Sequence, residues 1–145
     1  MEIPEKIVMT EKLCATIRSN VRETGVGKRS WYEADIYLLG RDKKGDYVDG
    51  VRLHKHHTGC YVMPKVESNI VLRAYMELAQ KKLTPGGFAI SLMPGNVRTD
   101  DRAVYDLLGA PAQYPGHLFV LFMPEPSAFI YTKERETKWI PVEKQ

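Results

Sequence analysis

Cysteine is scarce in this chain: Cys14 and Cys60 are the only two in 145 residues. They form neither a disulfide framework nor a CxxC motif. Small secreted domains usually depend on several disulfides, so this usage favours a reducing compartment. We expect a cytoplasmic protein.

Long hydrophobic runs are also missing. Residues 118–123 form one of the longest, far short of the ~20 apolar residues that a membrane-spanning helix needs. The opening segment MEIPEKIVMTEK carries acids and lysines where a secretory signal peptide has an apolar core. We therefore expect neither a leader nor a membrane partner.

A strong charge of one sign is absent as well. The chain has 21 Lys and Arg against 18 Asp and Glu, a net charge of +3. Such a mild excess is weak support for nucleic-acid binding. With 43% hydrophobic and 27% charged residues the composition is typical of a globular protein, and the length fits a single domain over residues 1–145.

Hydrophobic periodicity and turn residues predict the order β-α-β-β-α-β-α-β-β. The predicted helices are 10–24, 68–83 and 99–108, and the predicted strands are 7–9, 31–39, 47–53, 88–93, 117–123 and 127–132. Residues 133–145 are expected to be a charged C-terminal tail or one edge strand. The fold class is α+β, or a three-layer αβα arrangement with a mixed, mostly antiparallel sheet flanked by helices.

The second predicted helix has a wide apolar face. Its two adjacent stripes are Ile70, Ala74 and Leu78, and Val71, Tyr75 and Ala79. This width predicts a helix packed on more than one side. The predicted core comprises Ile70, Ala74, Leu78, Phe88, Ile90, Val120 and Phe122.

A cluster of potential metal ligands follows the predicted hairpin. His54, His56, His57 and Cys60 lie within seven residues, and zinc prefers these ligand types. No second ligand pair follows at a zinc-finger distance. An exposed loop after the hairpin is therefore the preferred interpretation, with a metal site as the alternative.

An acidic pair marks the strand predicted over residues 31–39. The two-residue period of a strand places Glu33, Asp35, Tyr37 and Leu39 on one face. A carboxylate beside a second acid can act as a general base. The alternative is a strand that enters the sheet from solvent with its first acids still hydrated, and spacing alone favours this alternative.

Polar residues also gather where the strand over 88–93 ends. Ser91 and Met93 share one strand face, and Asp100 and Asp101 open the next predicted helix. Sites of α/β proteins are often assembled at such strand ends, although the two acids also suit a helix N-terminus. No GxSxG motif supports a nucleophilic serine.

Taken in order, these features resemble the JAB/MPN (JAMM) domain family, whose architecture is similar to that of cytidine deaminases. The matching parts are Glu33 before Leu38-Leu39-Gly40, the long helix over 68–83, and the strand ending at Pro94. In that family two histidines and an aspartate hold zinc, and a glutamate activates the bound water for isopeptide hydrolysis. The resemblance implies that Glu33 is at the position of the water-activating glutamate.

The departures from the family pattern decide the expected function. Ser91 and Met93 occupy the positions of the two histidines, and only Asp100 or Asp101 approximates the aspartate. A hydroxyl and a thioether are poor zinc ligands. Because its metal ligands are replaced, the domain is expected to have no cofactor and no isopeptidase activity. We expect it to act as an interaction or scaffold module, with a protein partner or as a homodimer.

Two other functions stay open. The first is a zinc-dependent isopeptidase or hydrolase with a displaced site, in which His54, His56 or His57 approaches Glu33 and the acids at 100 and 101. The second, weaker one is a small nucleic-acid-binding domain that uses the basic residues between 41 and 57. Acids interleave with this basic stretch, which argues against a continuous phosphate contact surface.

Overall fold

The computed structural model describes residues 5–19, 32–59, 68–92, 118–122, 126–131 and 137–145. They form two helices, α1 (Glu11–Ser19) and α2 (Ser68–Gln80). The eight strands are β1 (Ile7–Met9), β2 (Tyr32–Arg41), β3 (Tyr47–Gly59), β4 (Thr84–Leu92), β5 (Leu118–Phe122), β6 (Pro126–Tyr131), β7 (Thr137–Ile140) and β8 (Val142–Lys144). The expected α+β class is confirmed.

All eight strands belong to one mixed sheet with the order β7-β6-β5-β4-β2-β3-β1-β8. The pairs β2–β3, β2–β4, β5–β6 and β6–β7 are antiparallel, whereas β1–β3, β1–β8 and β4–β5 are parallel. The two outermost strands, β7 and β8, are consecutive in the chain with only Pro141 between them. The sheet is therefore nearly closed. The segment for which a tail or one edge strand was expected forms both of these strands.

The β2–β3 hairpin is set by its turn. The Asp42 carboxylate accepts hydrogen bonds from the backbone N–H groups of Lys44 and Asp46, at 2.9 and 3.0 Å. Gly45 has a φ of 92°, which glycine adopts without steric cost. This agrees with the turn that the sequence predicts between the two strands.

Helix α1 begins at a threonine cap. The Thr10 hydroxyl accepts a hydrogen bond from the Leu13 N–H at 3.2 Å, and its carbonyl accepts one from the Cys14 N–H at 3.1 Å. Leu13, Cys14 and Ile17 are buried against the sheet. Burial raises the pKa of the Cys14 thiol, so this cysteine is a core residue and not an activated nucleophile.

The core under α1 contains residues from both ends of the strand order. Its members are Ile7, Met9, Leu13, Cys14, Ile17, Tyr37, Leu39, Tyr47, Ala89, Leu118, Val120, Ala128, Ile130 and Ile140. We call the side of the sheet that carries these residues the α1 face. Ile7 in β1 and Ile140 in β7 lie six strands apart in the sheet, yet both belong to this cluster, so the sheet must curve around it.

Helix α2 covers the opposite face of the sheet, here called the α2 face. Ala74 and Leu78 are its buried residues. A Cβ at Gly40 would lie 2.8 Å from Leu78 Cδ2, so a glycine at this position lets the helix approach the strand. Both faces are thus covered. In β5, Leu118 and Val120 are buried on the α1 face, and Phe119, which alternates with them, is buried as well, as the nearly continuous apolar sequence predicts.

Helix α2 ends earlier than the predicted residue 83. Lys82 takes a left-handed conformation with a φ of 60°, and the Leu83 N–H donates to the Leu78 carbonyl at 2.9 Å. These two features are typical of a Schellman C-cap. The cap directs Leu83 back onto the sheet, where its side chain faces Gly40.

The sequence Thr-Pro-Gly-Gly, residues 84–87, lies between the predicted helix over 68–83 and the predicted strand over 88–93, but the structure places it inside β4, which begins at Thr84. The register between β2 and β4 shifts between Leu39 and Gly40, which leaves Gly86 as the extra residue of a bulge. Gly87 has a φ of 138°, and a Cβ there would lie 2.5 Å from the Leu118 carbonyl oxygen. The glycines serve a bulge inside the sheet.

Of the second predicted apolar stripe of α2, Val71 and Tyr75 are half-buried and Ala79 is exposed, so this side of the helix is packed only in part. Leu72 and Met76 are 60% and 56% exposed, and Ile70, predicted to be core, is only half-buried. Of the other predicted core residues, Ala74, Leu78, Phe88 and Val120 are buried. Ile90 and Phe122 have no described side chains, and the predicted helix over 99–108 lies outside the described residues.

Two leucines of α2 provide a matched test of this packing. We expect Leu78→Ala to lower the free energy of unfolding by about 2–5 kcal/mol, because it opens a cavity against β2. The same change at the exposed Leu72 should alter it by less than about 0.5 kcal/mol. Urea denaturation of both variants measures the difference, and equal losses would contradict the orientation of α2.

Candidate functional site

The region that carries the candidate site lies where β2 begins and β4 ends. The two strands are antiparallel, and Asp35 pairs directly with Ser91. Residues that pair across a ladder share a face, and every second residue returns to it. Positions 33, 35 and 91 therefore share the α1 face with Tyr37 and Ala89.

The register also fixes how far Glu33 lies from Ser91. Glu33 is one strand to the side and two residues along, which corresponds to roughly 8 Å between Cα atoms from the standard strand spacing and rise. Two residues that jointly serve one site need such proximity. A separation beyond about 12 Å would have excluded a shared site.

The histidine cluster lies in a strand, so the expected exposed loop after the hairpin is wrong. His54, His56 and His57 belong to the second half of β3, and His54 and His57 pair with Ile36 and Ala34. The strand was underestimated because histidine and lysine are not typical strand formers. Pairing along both edges of β2 determines the structure here instead.

Two bulges interrupt β3 beside the site. The register with β2 shifts between Ala34 and Ile36 and again between Ile36 and Tyr37. The first shift leaves Lys55 and His56 opposite Asp35. Bulges change the direction of side chains and are frequent near functional sites.

A cationic residue that the sequence indicates only as part of the basic stretch between 41 and 57 lies next along the same face. Arg52 pairs with Tyr37 in the ladder, and its guanidinium carbon is 6.0 Å from the centre of the Tyr37 ring. A guanidinium over an aromatic face is a favourable cation–π arrangement. Arg52 lies on β3, the strand next to the acidic positions 33 and 35 of β2. The sequence could have indicated this contact, because counting outward from the hairpin turn along both strands places Arg52 opposite Tyr37.

Four of the expected site residues cannot be placed. Met93, Asp100, Asp101 and Cys60 lie outside the described residues. Glu33 and Ser91 are placed by backbone register alone. Among the described residues, no group of three or more histidine, cysteine, aspartate or glutamate side chains could hold a metal ion.

The described part of the site offers acids, a hydroxyl position and a guanidinium. Such groups can form hydrogen bonds and ion pairs with a bound peptide or ligand. A zinc centre needs three protein ligands converging within about 2.0–2.3 Å of one ion, and imidazole or thiolate usually supplies most of them. Serine at position 91 does not provide such a ligand.

Comparisons with known proteins support the fold alone. No family model and no curated protein matches the chain. Among solved structures 76 chains match, which shows that the fold recurs. One is the solution structure of protein DSY2949 from Desulfitobacterium hafniense, a structural genomics target; it is 13% identical, with a TM-score of 0.62, over 96% of this chain and 92% of that chain. At this identity the likeness extends to the fold and not to a function.

The metal content of the purified protein tests the site directly. We expect zinc well below one ion per chain after purification without a chelator, because Ser91 and Met93 occupy the histidine positions of the resembled motif. Elemental analysis by mass spectrometry measures it. Stoichiometric zinc that is lost in Glu33→Gln or Asp101→Asn, but kept in the exposed control Glu77→Gln, would contradict this expectation.

Proposed function

We propose that the chain is a degenerate JAB/MPN-like domain that acts as a protein-interaction module and self-associates through α2. The observation that supports self-association is a pair of exposed apolar residues on α2, Leu72 and Met76. The family assignment rests on the sequence resemblance, and two features of the fold support it. The two helices cover opposite faces of one sheet, as in a three-layer arrangement, and Glu33 lies diagonal to Ser91 across the β2–β4 ladder.

The apolar pair consists of Leu72 and Met76, which lie one helical turn apart and are 60% and 56% exposed. They are the large hydrophobic side chains that the described residues leave exposed. Full burial of a fully exposed side chain of this kind stabilises a complex by about 1.5–3 kcal/mol. Two copies would bury four of them, which provides a driving force for association.

The charged residues beside this pair could form ion pairs with the same residues of a second copy. Arg73 and Glu77 are exposed on the same helix, also one turn apart. If two copies of α2 pack antiparallel about a two-fold axis near residue 75, Arg73 of each copy lies opposite Glu77 of the other. An isologous interface requires this kind of self-complementary patch. A second copy of the chain is therefore the proposed partner.

Sedimentation equilibrium over a concentration series tests this proposal. We expect a reversible dimer that the double change Leu72→Glu with Met76→Glu abolishes. The control adds the same two charges one turn apart on the exposed side of α1, through Ala15→Glu with Ser19→Glu. A wild-type protein that is monomeric at every concentration, or a control that dissociates equally, would contradict self-association through α2.

Charge reversal identifies the orientation of the two copies. Arg73→Glu and Glu77→Arg should each weaken the dimer through like-charge contacts, and the double reversal should restore it. Restoration is expected only if the two positions meet across the interface. Additive weakening in the double variant would exclude the antiparallel arrangement.

The family assignment has its own test, the double change Ser91→His with Met93→His. Histidines at these positions should create micromolar or tighter zinc binding, which Asp100→Asn with Asp101→Asn should remove. Isothermal titration calorimetry measures the affinity, with Ser91→His alone as the control. If the double variant binds no zinc and its structure shows the two imidazoles on opposite faces, the assignment is wrong.

A zinc hydrolase with a displaced site is the second candidate. The observation that favours it is the β3 bulge, which leaves His56 opposite Asp35.

The nucleic-acid alternative loses two of its basic residues: Arg52 is over the Tyr37 ring, and the Arg41 side chain packs beside Gly86. In addition, neither described helix is long and apolar enough to cross a membrane.

A further inference from the structure

A pocket of about 300 Å³ lies at the outer edge of β3, between α1 and the residues that follow α2. We call it the α1–β3 pocket. Its apolar lining includes Leu13 and Ile17 of α1, Tyr37 of β2, and Leu83 after the α2 cap. This volume is at the lower end of the range for small-molecule sites. It fits a compact ligand with one ring or one branched chain.

The rim of the pocket has an excess of positive charge. Lys12 and Lys81 line it together with one acid, Asp49. The Lys81 ammonium is bound to the Asp49 carboxylate at 2.8 Å, and this hydrogen bond raises the pKa of Lys81. Within the described residues Lys12 has no ion-pair partner. Two ammonium groups against one carboxylate leave a net charge of +1, which matches a monoanion.

Gly50 in the pocket wall is the second observation. Its φ lies in the ordinary range, and a Cβ there would meet Leu13, Leu39 and Tyr37 at ordinary contact distances of 3.5–3.6 Å. By contrast, Gly45 has a positive φ, and Gly40, Gly86 and Gly87 each lie too close to a neighbour for a Cβ.

Neither backbone conformation nor steric crowding therefore requires a glycine at position 50. Glycine inside a strand is unfavourable, because it loses the most conformational freedom on folding. A Cβ at position 50 would add a methyl group to the pocket wall, in contact with Leu13 and Tyr37. The pocket thus has an apolar interior, a cationic rim, and a wall glycine that neither backbone conformation nor crowding requires.

We propose that the α1–β3 pocket binds a small organic acid. Its aromatic or branched hydrocarbon part lies against Leu13 and Tyr37, and its carboxylate pairs with the Lys12 ammonium. The existing ion pair between Lys81 and Asp49 forms the opposite rim.

This pocket is separate from Glu33, although Tyr37, which lines it, also contacts Arg52 of the candidate site. It lies at the level where Leu39 pairs with Gly50. Six residues of β2 separate that level from Glu33, about 20 Å along the strand. The failure of one proposal therefore leaves the other unaffected.

Titration of the full chain with phenylacetate tests the proposal. We expect saturable shifts of the Gly50 and Leu13 amide signals in proton–nitrogen correlation spectra. Two probes of similar shape serve as controls: neutral phenylacetamide should bind at least about fivefold more weakly, and cationic phenethylamine should not shift these signals, because the rim attracts a monoanion.

Two substitutions locate the binding. Lys12→Gln should weaken phenylacetate binding severalfold, whereas Lys44→Gln in the hairpin turn, which removes the same charge elsewhere, should not. Gly50→Ala should raise the melting temperature, because alanine suits a strand better than glycine does, yet weaken phenylacetate binding. If Gly50 had only a structural role, a variant with a higher melting temperature would not bind phenylacetate more weakly.

Three results would overturn the proposal. One is the absence of saturable shifts with phenylacetate and with the branched acid isovalerate. Another is equal binding of the neutral and anionic probes. The third is an equal loss of phenylacetate affinity in Lys12→Gln and Lys44→Gln, because this would show that binding depends on the net charge of the protein and not on Lys12.

Discussion

The structure depends on one crossing of the chain, at Pro141, from one edge of the sheet to the other. Among the described strands, β7 pairs with β6 and β8 pairs with β1. The eight residues from Thr137 to Lys144 therefore supply the strand at each edge of the sheet. The Ile7 N–H donates to the Pro141 carbonyl, and the Gln145 N–H donates to the Met9 carbonyl, both at 2.9 Å. Without this crossing, the cluster that contains both Ile7 and Ile140 would be open at one side.

Closure around that cluster gives the two faces of the sheet different roles. The α1 face encloses the core, and its continuation past Tyr37 carries the acidic positions of β2 and the guanidinium of Arg52. In the part of the chain that the structure describes, α2 covers the α2 face, and its outer side is exposed to solvent at Leu72 and Met76. The candidate site on the α1 face and the proposed association through α2 therefore use different surfaces of the sheet.

What could be predicted from the sequence depends on local signals. The Asp42 turn, the Thr10 cap and the apolar run of β5 each determine their own structure through neighbours in the chain, and all three agree with the prediction. The bulge at Gly86 was misread because Pro and Gly also end helices; only pairing with Leu39 and Gly40 distinguishes the two cases.

The candidate site was only partly predictable for the same reason. The face shared by Glu33 and Asp35 follows from the two-residue period of a strand, and the resemblance paired it with Ser91. The contact of Arg52 with Tyr37 depends on the register of the hairpin, and the strand position of His54 to His57 depends on bulges. Closure of the sheet has no local signal at all, because it joins residues near both ends of the chain.

The Pro141 crossing also determines when the fold can be completed during synthesis. The parallel pairing of Ile7 with Val142 spans almost the whole sequence, so β1 has no partner at its β8 side until residue 142 has left the ribosome. Such long-range contacts slow folding, because the entropy of a long loop is lost before the contact forms. Until then the sheet is incomplete and β1 lacks its β8 neighbour beside Ile7 and Met9. Unpaired strand edges of this kind favour aggregation of a folding intermediate.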